Sequence, residues 1–206
     1  MNLLQKTLSF DDVLLIPQMS DITSRKEVDI SSEILENKFS LPVISSPMDT
    51  VTGPKMADAM QTAGGFGVIH RYNTIEEQVD LIKNIKSDFL AAAVGVAGDY
   101  LERSEELVRT GTTLLCIDVA HGHHTNVRNA IESLKNRFGD DIIIMAGNVA
   151  TGEAFSDLEN WGADIIRVGV GGGSICSTRI QTGHGLPTFH SILLSANSAK
   201  RASIVA

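Results

Sequence analysis

Short apolar runs alternate with amphipathic segments along most of the chain. The apolar runs predict seven strands, at residues 41–46, 67–70, 91–96, 114–119, 142–146, 165–170 and 203–206. The segments between them predict six helices, at residues 54–62, 75–85, 100–109, 125–137, 152–161 and 188–201, after an irregular lead-in over residues 1–40. Nearly continuous apolar strands joined by helices are typical of parallel pairing with right-handed crossovers. The pattern therefore predicts an α/β protein.

The positions of the polar residues decide between two α/β architectures, a doubly wound open sheet and a barrel. Polar or glycine-rich segments follow the carboxyl ends of successive strands, at residues 46–49, 70–71, 118–121, 148 and 169–176. A barrel gathers its active site at that end of its strands, whereas a doubly wound sheet uses chiefly its switch point. We therefore predict a (β/α)8 TIM barrel that is incomplete, with about six βα units plus a seventh strand.

The predicted domain organisation is a single catalytic-type barrel domain over residues 1–206. A closed barrel of this kind takes roughly 250 residues, so we expect the domain to lack its C-terminal part. The sequence has no low-complexity segment and no composition shift that would predict a second domain.

Charge and composition exclude several classes of function. The formal charge of −8 argues against general nucleic-acid binding, and a hydrophobic content of 43% is typical of a globular protein. No apolar run approaches the roughly 20 residues of a membrane-spanning helix, and the first residues lack a signal-peptide pattern. We expect a cytoplasmic protein. Its two cysteines, Cys116 in an apolar run and Cys176 in a glycine-rich loop, predict no disulfide.

The glycine-rich loop follows the sixth predicted strand and leads through Ser174 to Cys176, Thr178 and Arg179. Glycines let successive N–H groups approach an anion, and the carbonyls of a tight turn can ligate a monovalent cation. The loop is therefore a candidate phosphate or cation site, with a bare turn as the alternative. Judged from the residues alone, Cys176 is either a nucleophile that Arg179 makes easier to ionise or an inert thiol.

Two polar residues follow other strands. Asp118 either accepts hydrogen bonds from ribose hydroxyls or caps a loop, and Asn148 either faces a ligand or forms a turn. His121, His123 and His124 cluster after the fourth strand, but their spacing matches no defined zinc signature. We therefore favour Asp118 over the histidines as a functional residue.

Six motifs occur in one order along the chain. They are Phe10-Asp-Asp-Val-Leu14, Ser45-Ser-Pro-Met-Asp-Thr-Val-Thr52, Gly64-Gly-Phe-Gly-Val-Ile-His70, Ile117-Asp-Val-Ala-His-Gly-His123, Ala146-Gly-Asn-Val-Ala-Thr151 and Ser174-Ile-Cys-Ser-Thr-Arg179. In these residues the chain resembles the family of IMP dehydrogenase and GMP reductase, barrel enzymes that act at carbon 2 of a purine nucleotide. One departure is that the family's usual Gly-Pro-Gly is Gly171-Gly172-Gly173 here, which predicts a more flexible loop.

The resemblance implies roles for residues on the substrate side. Cys176 would attack carbon 2 of the base and form a covalent adduct that exchanges hydride with a nicotinamide cofactor. Thr178 would assist proton transfer, Ser174 would hold the nucleotide phosphate, and Ser46 and Met48 would line the nucleotide pocket.

The resemblance also implies a cofactor site and a cation site. The cofactor is NAD, with NADP as the alternative, and the residues that would contact it or shape its site are Asp118, Asn148, Gly169, Ser24, Arg25 and Arg71. A potassium ion would be held by the backbone carbonyls of Gly171, Gly173 and Cys176.

Two reactions fit the resemblance. The substrate-side motifs favour oxidation of IMP to XMP with NAD, whereas Ser24, Arg25 and Arg71 favour reduction of GMP to IMP and ammonia with NADPH. An inactive partial barrel that binds a nucleotide or associates with other subunits is a further alternative. The family implies a homotetramer once the barrel is completed, and the direct run from Thr74 to Phe89 leaves no room for the paired CBS regulatory domains of most dehydrogenases.

Overall fold

The computed structural model describes residues 6–206 and confirms the α/β architecture. A small antiparallel hairpin comes first, formed by β1 Ser32–Ile34 and β2 Asn37–Phe39. The main sheet has seven parallel strands: β3 Ile44–Ser45, β4 Phe66–Ile69, β5 Ala91–Val94, β6 Leu114–Asp118, β7 Ile143–Val149, β8 Ile165–Val168 and β9 Ser203–Val205. Their spatial order is their chain order, so the sheet has no switch point and is not doubly wound. The sheet is an incomplete, half-closed TIM barrel.

Helices connect the strands and cover the outer face of the sheet. They are α1 Pro54–Thr62, α2 Ile75–Lys83, α3 Tyr100–Arg109, α4 Thr125–Phe138, α5 Gly152–Trp161, α6 Thr178–Thr182 and α7 Thr188–Ser198. All six predicted helices begin at the predicted residue, since Pro54 suits a first turn and Thr74 forms a capping box with Glu77. The predicted ends of three were wrong: α2 stops before residue 85, α4 runs one residue further to Phe138, and α7 stops at Ser198 because Ala199 is extended.

The local structure also differs from the expectations elsewhere, and most predicted strand bounds differ by one to three residues. The lead-in is not irregular throughout, because it contains β1 and β2; its residues 1–5 lie outside the described part. The first strand of the main sheet does not span residues 41–46, since Pro42 has no N–H and Val43 N–H donates to Leu41 O (2.8 Å) in a tight turn. The helix α6 was not predicted, because it is a single short turn after the glycine-rich loop.

Successive side chains of each strand point to opposite faces of the sheet and so form two separate buried clusters. On β6, Leu115 and Ile117 pack outward against the helices, whereas Leu114 and Cys116 face inward. Phe39 of the hairpin joins the inner cluster and packs on Phe66, with ring centroids 4.9 Å apart. A cavity of about 500 Å³ lies between the two edges of the sheet, β3 and β9. The inner face is therefore the interior of a barrel, filled by side chains at its amino end.

The segment before the hairpin, residues 6–31, forms an arm in which most residues are exposed. Its apolar side chains are almost fully exposed, at 96% for Leu14, 98% for Leu15 and 94% for Met19. Phe10, at the start of the arm, packs edge-on against Phe189 of α7 (5.6 Å). A run of large exposed apolar side chains is typical of an interaction surface. Among residues 6–206, no helix has the length and apolar character needed to cross a lipid bilayer.

Glu159 at the end of α5 anchors the last strand to the barrel. Its side chain is only 3% exposed, and Oε1 accepts hydrogen bonds from the backbone N–H groups of Lys200 (3.1 Å), Arg201 (2.6 Å) and Ala202 (2.7 Å). Burial alone would raise the pKa of Glu159, but these N–H groups outweigh it and lower the pKa. The carboxylate thus positions the turn that leads into β9.

Glu159→Ala is expected to lower the free energy of unfolding by on the order of 3 kcal/mol, because it leaves three backbone donors without their charged acceptor. Urea denaturation measures the loss, and Glu153→Ala, at an exposed position of the same helix, is the control. Because the folded pKa of Glu159 is lowered, its contribution is present above the unfolded pKa and is lost as pH falls through the folded pKa. Equal denaturation midpoints for the two variants would contradict this role for Glu159.

Candidate active site

The glycine-rich loop begins where β8 ends, at the carboxyl end of the barrel. Its backbone enters the left-handed region at Gly169 (φ +131°) and Gly171 (φ +76°), which favours glycine at both positions. Gly172 packs against the first residue of α7, since a Cβ there would lie 2.1 Å from Thr188 Oγ1. The loop is therefore seated on α7, and its middle position has no room for a larger residue unless Thr188 moves.

Cys176 is half-buried in this loop, and its surroundings favour the thiolate. The pKa of Cys176 is lowered, first by the hydroxyl of Thr178, then by the backbone N–H groups of Thr178 and Gly171, with a smaller contribution from the charge of Arg179. A thiolate is the nucleophilic form of cysteine. The structure thus brings Cys176 and Thr178 together, as the resemblance implies.

Cys116 has the opposite environment. It is fully buried in the inner cluster, and burial raises the pKa of its thiol to about 11. Two thiols of one chain therefore differ in both access and ionisation. This contrast makes Cys116 an internal reference for any measurement of thiol reactivity.

Thr178→Val is expected to slow alkylation of Cys176 by iodoacetamide near neutral pH, because it removes the hydroxyl that lowers the pKa of Cys176 most. The pH profile of the rate should move to higher pH, since fewer molecules then carry the thiolate at a given pH. Thr182→Val, one turn later in α6, is the matched control, because Thr182 Oγ1 donates to Thr178 O (2.7 Å) and accepts from His184 N–H (3.2 Å), and neither bond involves Cys176. Superimposable profiles for wild type and Thr178→Val would exclude a role for the hydroxyl.

An ion pair spans the interior of the barrel at the level of this loop. Arg167 Nη1 of β8 donates to Asp118 Oδ1 of β6, and both side chains are 18% exposed. The strand between them carries Gly147, where a Cβ would lie 2.5 Å from Arg167 Cβ. Glycine at this position leaves the space through which Arg167 reaches across β7 to Asp118.

The sequence reasoning did not single out Arg167. The available signal was strand alternation, because Arg167 has the same parity as Ile165, which faces inward. Its partner Asp118 was predicted to be a ribose ligand or a loop cap. One of its carboxylate oxygens is already engaged by Arg167.

Arg71, which follows β4, lies beside this ion pair. Its Nη2 donates to the backbone carbonyl of Asp118 (3.1 Å), and its guanidinium lies 5.5 Å from the centre of the Tyr72 ring. Its Nε is buried and has no acceptor among residues 6–206. Arg71 therefore keeps a buried donor at the end of the barrel where Asp118 and Arg167 meet.

A buried polar pair supports the segment that carries Arg71. Gln78 of α2 is fully buried and donates to the carbonyls of His70 (3.0 Å) and Ala93 (2.8 Å). Arg103 of α3 donates in turn to Gln78 Oε1 (2.8 Å). Neither residue was predicted, because a polar residue on a helix is more often exposed.

Asn148 ties two neighbouring loops together. Its Nδ2 donates to Gly169 O (2.9 Å), its backbone N–H donates to Val119 O (2.9 Å), and its carbonyl accepts from Gly122 N–H (2.8 Å). These bonds bring the predicted residues Asn148 and Gly169 into contact. They also favour the interpretation of Asn148 as a residue that shapes the loops.

The predicted substrate residues Ser46 and Met48 lie in a turn after β3. Both are exposed, and Met48 N–H donates to Ser46 O (2.8 Å). The sequence reasoning missed Thr52 as a functional residue, which is fully buried and donates through Oγ1 to Ser46 O (2.5 Å). Thr52 therefore fixes the turn that presents Ser46 and Met48.

The remaining predicted residues lie on the glycine-rich loop or outside the site. Ser174 is exposed on the glycine-rich loop. Ser24 and Arg25 lie on the exposed arm, where Ser24 Oγ accepts from the backbone N–H of Lys26. The described contacts do not bring either of them to the loop.

One histidine of the cluster after β6 is paired with a carboxylate: His123 Nε2 lies 2.8 Å from Asp157 Oδ2 on the outer side of the barrel. Within residues 6–206, no group of three or more His, Cys, Asp or Glu side chains is placed to hold a metal ion.

The carbonyls of Gly171 and Gly173 converge on one point, as a cation site requires. That point is occupied by Arg179 Nη1, which donates to each carbonyl oxygen at 2.6 Å. The arrangement places a positive charge where the resemblance implies potassium. In this conformation the two carbonyls do not offer a vacant site for a metal ion.

The assembled residues provide an accessible thiol of lowered pKa beside a glycine-rich loop, at the mouth of a half-barrel. Two arginines and a carboxylate lie at the same end. Such a site suits covalent addition to an electrophilic carbon of an anionic ligand.

Known proteins are similar to this chain over most of its length. The family model described as "IMP dehydrogenase / GMP reductase domain" matches residues 7–206. The GMP reductase of Mycoplasma mycoides is 35% identical over 184 residues, which cover 87% of this chain and 57% of that protein. The GMP reductase of Bacillus licheniformis is 38% identical over 186 residues, which cover 88% of this chain and 56% of that protein.

A dehydrogenase and a solved structure are also similar. The inosine-5'-monophosphate dehydrogenase of Nitrosopumilus maritimus is 28% identical over 313 aligned positions, covering 90% of this chain and 66% of that protein. The crystal structure of inosine 5' monophosphate dehydrogenase from Legionella pneumophila superimposes with a TM-score of 0.88 and 36% identity, covering 98% of this chain and 69% of that one. The chain thus spans a little more than half to two thirds of these relatives. It belongs to the IMP dehydrogenase / GMP reductase family of oxidoreductases.

Proposed function

We propose that this chain is the nucleotide-binding part of a purine nucleotide oxidoreductase, in which Cys176 Sγ adds to carbon 2 of the base. The observation that carries the proposal is the environment of Cys176, an accessible thiol whose pKa is lowered by Thr178 and Gly171. The family membership supports the same chemistry. The complete reaction is part of this proposal, since the chain covers only 57% and 56% of the two GMP reductases.

The first direction that we propose is oxidation of IMP. The thiolate of Cys176 adds to carbon 2, and the hydride on that carbon leaves with its two electrons, so that carbon 2 becomes a thioimidate. Bound NAD⁺ would supply the acceptor for this hydride. Water then attacks carbon 2, the C–S bond breaks, XMP leaves and the thiol is restored. The hydroxyl of Thr178, which interacts with Sγ, is placed to pass a proton during these steps.

Reduction of GMP with NADPH is the second candidate, and one feature of the alignments, the lack of a long insertion, supports it. The GMP reductases align over 180–186 positions, fewer than the residues of this chain. The Nitrosopumilus dehydrogenase aligns over 313 positions, more than the 206 residues of this chain, so it contains a long insertion that this chain lacks. In this direction the thiolate would add to carbon 2, and the amino group would take up a proton and leave as ammonia. Hydride supplied by NADPH would then add to that carbon, and the thiolate would leave as IMP forms.

The exposed residues of the site are proposed to hold the nucleotide. Ser174 and the adjacent loop N–H groups would bind the phosphate, and Ser46 and Met48 would line the pocket beside it. All three side chains are exposed, so a ligand can reach them. Backbone N–H groups of a glycine-rich loop suit a phosphate because they approach it closely.

The nicotinamide cofactor, NAD or NADP, fits the group around Arg71. The buried Nε of Arg71 has no acceptor among the described residues, and a phosphate or carboxamide oxygen would supply one. Asn148 and Gly169 would shape the floor of this site through their mutual hydrogen bond. Asp118 is proposed to orient Arg167 and Arg71 and to reach a ribose only through its second carboxylate oxygen.

Turnover with both substrate pairs tests the proposal. The protein is mixed with IMP and NAD or with GMP and NADPH, and the absorbance of the reduced nicotinamide is followed. Formation of reduced cofactor supports the dehydrogenase, and its consumption supports the reductase. If neither occurs, protection of Cys176 from alkylation by IMP or GMP would support the nucleotide-binding alternative. No turnover and no protection in a folded protein would overturn the proposal.

The exposed apolar arm is proposed to pack against another subunit, in keeping with the predicted homotetramer. Leu14, Leu15 and Met19 would be buried there. Light scattering that shows a monodisperse monomer at high protein concentration would contradict this association. The cytoplasmic location stays a prediction.

A further inference from the structure

Arg179 closes the glycine-rich loop from within. It belongs to α6, directly after the loop, and its Nη1 donates to Gly171 O and Gly173 O at 2.6 Å each. Hydrogen bonds from a guanidinium to a carbonyl oxygen are charge-assisted and stronger than neutral ones. One nitrogen therefore holds two carbonyls that lie on either side of Gly172.

One of the same loop carbonyls also holds the backbone of Cys176. Gly173 O also accepts from Cys176 N–H (3.2 Å). Fixing Gly171 and Gly173 thus fixes the backbone on which Cys176 is presented.

We propose that Arg179 is a built-in cation of this loop, which takes the structural place of a monovalent metal ion and positions Cys176 without one. A free cation and the guanidinium nitrogen would compete for the same carbonyl oxygens. Since the guanidinium is covalently attached and stays protonated at every physiological pH, it has the advantage of high local concentration. The reactivity of Cys176 in wild type is then independent of potassium.

The test measures the alkylation rate of Cys176 by iodoacetamide at one fixed pH, in potassium chloride and in choline chloride at equal ionic strength. The proposal rests on the proposed function only in treating Cys176 as the nucleophile. Because alkylation needs no purine, failure of the oxidoreductase chemistry leaves this test intact. Wild type is expected to react at the same rate in both salts.

Arg179→Ala is expected to lose about tenfold in rate in choline chloride, on the scale of one charge-assisted hydrogen-bonding group. Millimolar guanidinium or potassium should restore much of the rate in this variant. Arg179→Lys should retain part of it, since the ammonium keeps the charge and loses the planar geometry. Arg128→Ala is the control, because Arg128 pairs with Glu132 on the surface of α4 (2.8 Å), away from the loop.

A saturable increase of the wild-type rate with potassium would overturn the proposal, as would an unchanged rate in Arg179→Ala. If Arg179→Ala does not fold, the alkylation rates of wild type in the two salts and the rate of Arg179→Lys still test the proposal. A purely structural role for Arg179 would lower the rate without rescue by guanidinium or potassium, which would also overturn it.

Discussion

Arg167→Met is expected to lower the free energy of unfolding by on the order of 3 kcal/mol, because it leaves the carboxylate of Asp118 inside the barrel without its partner. Both side chains of the pair are 18% exposed, so water compensates the lost charge only in part. The midpoint of urea denaturation measures the effect. Arg128→Met, which breaks an exposed pair on α4, should change stability by less than about 1 kcal/mol.

A double variant separates charge from packing at this pair. In Arg167→Met with Asp118→Leu, both charges are replaced by apolar side chains, and most of the lost stability should return. If the double variant is as unstable as Arg167→Met alone, the loss comes from packing over Gly147. Equal stability of wild type and Arg167→Met would show that the ion pair does not hold β6 and β8 together.

Cys176→Ser is expected to reduce turnover by roughly a thousandfold or more, because an alcohol of ordinary pKa replaces the thiolate. The rate should fall in whichever direction the protein catalyses, while nucleotide binding and the denaturation midpoint stay close to wild type. Ser177→Ala is the matched control. Its side chain lies next to Cys176 but makes no capping hydrogen bond to α6.

The turnover rates of wild type and of both variants are measured with both substrate pairs. Full activity in Cys176→Ser would remove the thiol from the mechanism. Equal losses in Cys176→Ser and Ser177→Ala would show that the loop is sensitive to any substitution and that the thiol has no separate role.

The barrel was predictable from the sequence because one physical rule repeats along it. Strands, which are apolar runs, alternate with helices along the chain. Polar residues such as Asp118 and Cys176 follow the strands at one end. The strand ends were less predictable. Pairing partners decide them, and β7 continues past residue 146 because β6 still pairs with it at Gly147.

Several features of the site depend on contacts between residues distant in the chain, and local patterns do not reveal them. Arg167 reaches Asp118 only because Gly147 lies between them in the folded sheet. The carbonyl of the buried Gln78 is satisfied by Arg103, which lies 25 residues further along the chain. Arg179 was singled out for its charge near Cys176, but its bonds to Gly171 and Gly173 require the loop to fold back on α6.

The covalent role of Cys176 can be measured by mass spectrometry. The protein is incubated with IMP and NAD, or with GMP alone, quenched in acid and digested. An added purine nucleotide on the peptide that contains Cys176, absent from Cys176→Ser and from the Cys116 peptide, is the predicted result. An unmodified Cys176 in a sample that turns over substrate, or a nucleotide attached to another residue, would contradict it.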